Sequence, residues 1–353
     1  MRPLTILLLS AVTLLAPLAS ADTPTQASPA QTPPPAPPSV PGFPSFPLPP
    51  FQFPQLPWTP GGAQPGQAQA PQAPPVAPAV PSAAGGLLPP LMGSLSWQGE
   101  VRSVVNELIA HLPADKQARV QGVPLVFDPN PNTINAFAGC DERGAPFIAG
   151  TEGLLQAIDA ISQTMANDDL YGTHTYDQYT STVLPRLVQS AGASAALPLG
   201  IIPFTTILDP RRLSHAREIF DDIAAFTFGH ELAHHYLGHT GCANGQAGAV
   251  GINPAALGQM VTRVLPGLNQ PMEVAADSAA TVNVLDTGRA RRPNFAWSER
   301  GGLIMLDFFT RLDRAAGLSP INPIGFLQTH PHPAFRIPIV QAVAQNWHQG
   351  HPG

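Results

Sequence analysis

Proline placement sets the outer limit on what this chain can fold into. About half of its 44 prolines lie between Ala21 and Pro90, where Asp22 is the only charged residue and neither a helical nor a strand period runs. Proline fixes φ and removes a backbone donor, and a stretch of this composition cannot bury enough apolar surface to offset the entropy of ordering. Residues 22–93 are therefore predicted to alternate between extended polyproline and flexible Gly/Gln/Ala spacer. The stretch reads as a passive stalk, or as an arm whose Phe residues and Trp58 dock a cell-envelope partner. About 260 residues, 94–353, are left for one sizeable core.

Ahead of the stalk stands "MRPLTILLLSAVTLLAPLASADT": a positive charge at Arg2, an apolar run from Leu4 to Leu18, and the small-x-small triplet Ala19-Ser20-Ala21. This pattern predicts a secretory signal over residues 1–21 and an exported chain, periplasmic or secreted. An uncleaved anchor is the alternative, against which the run is short and interrupted by proline. No cysteine follows the triplet, which excludes a lipoprotein anchor. The two cysteines, Cys140 and Cys242, either pair or remain buried thiols. Paired, they would close a loop of about 100 residues, worth roughly 4.7 kcal/mol in the chain-entropy model. Formal net charge is −6, the 17 basic residues are dispersed and the only lysine is Lys116, so nucleic acid is not an expected partner.

Helical spacing of Val101, Val104, Val105, Leu108 and Ile109 predicts a helix at the start of the folded part. Three short apolar runs follow, in "GVPLVFDP", "TINAFAG" and "APFIAG", broken by Pro, Asn and Gly as strands of a small sheet would be. "TEGLLQAIDAISQTM" returns to helical period, with Thr151 as cap. Residues 170–209 stay ambiguous. Pro198 and Pro203 leave their apolar part too short to span a membrane, and it is a candidate cover for a groove. A further helix is expected from Ser214, with Ile219, Ile223, Phe226 and Leu232 on its buried stripe and Gly238 as its stop.

That helix carries "FGHELAHHYLGH", Phe228 to His239. His230 and His234 are four apart, so their side chains leave the axis about 40 degrees from one another and can reach one cation. Glu231 then faces the water such a cation would hold, the HExxH arrangement of two imidazole ligands and a carboxylate base. A catalytic zinc needs a third protein ligand, which "PMEVAADSAATVNVL" can supply. Glu273 and Asp277 are again four apart, one to bind metal and one to orient a ligand histidine, unless they belong to an ordinary solvated face. His235 and His239 are expected to be structural or solvent-facing. In "LQTHPHPAFRIPIV", His330 and His332 stand between prolines in a rigid loop.

Together these segments resemble the HtpX-like and CAAX-prenyl-protease-like zinc metalloendopeptidases, a gluzincin branch, over about residues 95–345. The match runs through "NAFAG", "GTEGLL", "HELAH", "EVAAD" and "THPHPAFRI" in the family's order, and His239 falls where many members carry a further histidine. The resemblance implies a mostly helical α+β, zincin-like metallopeptidase domain whose small sheet presents an edge strand to the active-site cleft. Asn135, Ala136 and Phe137 of that strand would pair with a protein or peptide substrate in extended conformation. His330 would approach the scissile carbonyl or its oxyanion, and Arg336 would support the architecture. Two departures stand out. No membrane-spanning helix is expected after the signal, which argues against a membrane-buried prenylated substrate, and about 50 extra residues precede the metal helix.

The expected activity is peptide-bond hydrolysis with Zn2+ on His230, His234 and Glu273 and with Glu231 as general base. A chaperone-like or peptide-binding protein that keeps the metal for structure, with the proline-rich arm as its interaction segment, is the rival reading.

Overall fold

From Ile219 to Tyr236, the longest of the described helices is buried at nearly every position, its acids and histidines included. Such a sequence can be stable only with neighbours on every side. The computed structural model describes residues 86–141, 143–190, 193–242, 270–291, 295–317 and 333–351. The chain divides into Met1–Ala73, which falls outside these residues, and Pro74–Gly353, which contains all of them. The expected signal, most of the proline-rich stretch, His330 and His332 lie outside the described residues.

In chain order the described elements are α1 (Ser94–Ala110), α2 (Ala114–Val120), β1 (Leu125–Asp128), β2 (Ala136–Cys140), β3 (Pro146–Thr151), α3 (Glu152–Tyr171), α4 (Thr175–Gln189), α5 (Pro210–Tyr236), α6 (Gln270–Ala290), α7 (Arg300–Ala315) and α8 (Pro333–Gly350). The result is a mostly helical α+β unit with one small mixed sheet. Among the described residues no helix is long and apolar enough to cross a membrane.

α5 is the axis about which α1, α3, α6, α7 and the sheet pack. It starts a turn before the expected Ser214, because Asp209 caps it by accepting from Arg211 N and Pro210 takes a first-turn position that needs no donor. Close approach depends on missing side chains. A Cβ on Gly301 would lie 2.2 Å from Asp222 O, so the first turn of α7 can cross α5 only with glycine there.

The sheet order is β1-β3-β2, with β1 parallel and β2 antiparallel to β3. β3 is buried along its whole length, as a central strand covered on both faces must be. Thr151, expected as a cap, closes β3 and accepts from Leu154 N at the start of α3. β2 is an edge strand. Thr151 N donates to Asn135 O over 3.0 Å, and alternate residues face the partner in an antiparallel ladder. Asn135 and Phe137 therefore turn their backbone groups to β3, and Ala136 and Ala138 turn theirs away from it.

The ambiguous segment 170–209 is built into the same body. α4 buries Tyr176, Tyr179, Val183 and Leu184, and Ala195, Leu197, Ile201 and Ile202 are buried after it. Tyr179 Oη donates to Ala195 O, and Leu88 N and Leu199 N pair with Leu197 O and Gly86 O. The apolar run packs beside α4, and Leu88, expected to be stalk, is buried with it.

Candidate metal centre

Two turns of α5 and the first turn of α6 bring the chemistry together. His230 Nε2 lies 3.1 Å from His234 Nε2 and 3.2 Å from Glu273 Oε2, and His234 Nε2 lies 3.3 Å from Glu273 Oε1. All three side chains are buried. Zinc bonds of about 2.0–2.1 Å in a tetrahedron separate their donors by roughly 3.3–3.4 Å, so two imidazoles and a carboxylate spaced in this way fit one such ion. This trio is the group of potential ligands found among the described residues, and it can hold a metal ion.

The far side of His230 is fixed by Asp277, read from its spacing, and by Arg336, to which the resemblance pointed. Its Nδ1 is 2.8 Å from Asp277 Oδ1, which also accepts from Arg336 Nη2 at 2.6 Å, while Arg336 Nε donates to Asp277 Oδ2 at 2.8 Å. Arg336 comes from α8, whose Pro333 opens a helix where the sequence had shown only a proline-bounded loop. An ionised carboxylate can only accept, so Nδ1–H of His230 donates to Asp277 and its Nε2 lone pair is turned to the metal position. Burial alone would raise the Asp277 carboxyl, but Arg336 and His230 hold it well below the usual carboxylate range. Burial and the Arg336 charge press His230 towards neutrality, yet Asp277 and Glu273 outweigh them and raise its pKa to about 9. A metal ion taken up there displaces that proton, so affinity falls with acidity.

On the other ligand, burial lowers the pKa of His234, which favours the neutral, metal-binding form. Glu231 is buried and lines a small cavity with His230, Thr227, Phe226, Met305, Phe309 and Arg336. Compared with known protein families, curated proteins and solved structures, the chain matches none. The centre is therefore read from its own atoms.

The remaining expected site residues divide. Ala136 and Phe137 lie on β2, and Asn135, just before it, is buried with its backbone N donating to Thr151 Oγ1. His330 lies outside the described residues. Cys140 and Cys242 form a disulfide, which settles the choice between pairing and free thiols and ties the end of β2 to the segment after α5. His235 is structural: it is buried, with Nε2 2.8 Å from Phe147 O of β3 and Nδ1 3.2 Å from Thr240 Oγ1.

His239 is half-buried beside His234. α5 ends in a Schellman turn, with Gly238 N donating to His235 O, His239 N donating to His234 O, and Gly238 at φ +80°. The chain reverses there and sets His239 Nδ1 3.0 Å from His234 Nδ1. The signal was present in the sequence, since a glycine that stops a helix carries the next residue back over its last turn.

Proposed function

We propose that this chain is an exported zinc-dependent endopeptidase of the HtpX-like and CAAX-prenyl-protease-like kind, acting on extended polypeptides. The observation that carries the reading is the convergence of His230, His234 and Glu273 on one point, next to a buried Glu231 on the same helix. When bound, zinc supplies Lewis acidity and lowers the pKa of its water towards about 7. Glu231 takes the proton from the attacking water and passes it to the leaving amine. Asp277 and Arg336 keep His230 in the tautomer that binds metal. His330 donates to the developing oxyanion, a part worth about 3–4 kcal/mol for one well-placed donor.

β2 would supply the substrate backbone with a partner through Ala138, whose amide and carbonyl groups turn away from β3. The Cys140–Cys242 disulfide supports export, because such a bond persists in oxidising compartments.

The test is hydrolysis of an unfolded protein such as casein by wild type and by Glu231→Gln. Cleavage by the wild type should stop with chelator and return with zinc, and Glu231→Gln should bind zinc yet lose at least about 100-fold in kcat, the usual scale for removing a general base. Cleavage by Glu231→Gln at the wild-type rate would remove Glu231 from the mechanism.

A further inference from the structure

Each metal-binding imidazole must present one nitrogen lone pair inward, and its other nitrogen then carries a hydrogen that needs an acceptor. For His230 that acceptor is the Asp277 carboxylate. For His234 the inward nitrogen is Nε2, and at its Nδ1 stands the Nδ1 of a second histidine, His239, at 3.0 Å. Two neutral imidazoles so placed can share one hydrogen in two ways. If His239 donates, the His234 hydrogen sits on Nε2 and blocks metal. If His239 accepts, Nε2 of His234 is open to metal, and His239 carries its own hydrogen on Nε2.

We propose that His239 is a positioning residue that accepts the Nδ1–H of His234 and so sets its tautomer and its affinity for metal. The inference rests on the metal-centre reading above and adds a partner for the second ligand.

The turn that carries His239 is held from several directions. His239 N donates to His234 O over 2.8 Å, Thr240 Oγ1 is 3.2 Å from His235 Nδ1, and Cys242 is bonded to Cys140 at the end of β2. His235 in turn donates from Nε2 to Phe147 O of β3. A freely moving surface histidine would give a ligand little orientation, whereas one on a turn fastened to helix, strand and disulfide holds its acceptor in place. The edge strand and the second ligand are thereby parts of one braced unit.

The experiment compares zinc affinity, by competition with a chromophoric chelator, for wild type, His239→Ala and His239→Asn in the full disulfide-bonded chain. Asparagine places Oδ1 where the imidazole Nδ1 stood, so it keeps the acceptor and discards the ring. The expected result is zinc binding about 10–100-fold weaker for His239→Ala, the usual cost of removing a ligand's hydrogen-bond partner, and within a few-fold of wild type for His239→Asn. Thermal midpoints measured with chelator should be alike for all three. Wild-type affinity in His239→Ala would overturn the proposal, and so would equal weakening in the alanine and asparagine variants, which would mean that ring packing matters and the acceptor does not. Failure of the wild type to bind zinc would instead overturn the metal-centre reading on which the proposal stands.

Discussion

A buried carboxylate shared between an arginine and a histidine serves the metal centre twice. Asp277 is fully buried, holds both Nε and Nη2 of Arg336, and accepts from His230 Nδ1. Removing one partner of such a pair leaves an uncompensated charge in the interior, so Asp277→Ala should destabilise the chain by about 3–5 kcal/mol in urea unfolding. Asp277→Asn, of the same shape, should fold but bind zinc about 10–100-fold more weakly in chelator competition, and unchanged affinity would deny Asp277 its orienting part. Much of this centre was legible in the sequence because helical period alone puts His230 with His234 and Glu273 with Asp277. Arg336 was not legible from spacing. It stands 59 positions from Asp277, and only the family resemblance pointed to it. His239 was left without a partner because the stop at Gly238 does not by itself say that the turn sets the next side chain against His234.

Elements meet here through small residues and one covalent link. Gly301 lets α7 cross α5, and a methyl group 2.2 Å from Asp222 O cannot be housed without moving one helix. Gly301→Ala should therefore cost about 1–3 kcal/mol or more, read as a drop in urea midpoint with the slope unchanged. The Cys140–Cys242 bond closes a sequence separation of 102 residues, and its reduction should destabilise the chain by roughly 4–5 kcal/mol on the chain-entropy model. Unfolding curves that coincide with and without a dithiol reductant, with reduction verified by mass, would contradict that. The three strands, the first helix, the Thr151 cap and the stop at Gly238 were all readable from local pattern. Partners of the apolar run after α4 were not, since a short apolar stretch says that it will be buried and nothing about which helices will cover it. The helix from Pro333 was hidden by its own prolines, which at a first helical turn are compatible with the helix they usually end.

Across the whole molecule, buried acids link stability to pH. Asp222 accepts from Ser298 N, Ser298 Oγ and Gly301 N where α7 meets α5, and Asp159 accepts from Leu91 N and Trp97 Nε1, pinning the start of α1 and the chain just ahead of it to α3. Burial pushes Asp222 up to about 7 and Asp159 up to about 6, against the donors that favour their charged forms. A carboxyl whose folded pKa is raised contributes its full stability below its unfolded value near 4 and loses it as pH rises through the folded value. Relative to Asp222→Asn, the wild type should therefore lose stability between pH 4 and 8, by about 3–4 kcal/mol at most, in urea unfolding with chelator present throughout. Parallel curves for the two chains would show that Asp222 titrates as in the unfolded state. The same body that buries these acids brings α5 and α6 together around the metal position, and that convergence is the claim on which the functional reading depends. Native mass spectrometry of the zinc-equilibrated chain tests it most directly. One ion per chain is expected for wild type and for Glu231→Gln, and none for Glu273→Ala; a metal-free wild type, or a Glu273→Ala chain that retains its ion, would contradict it.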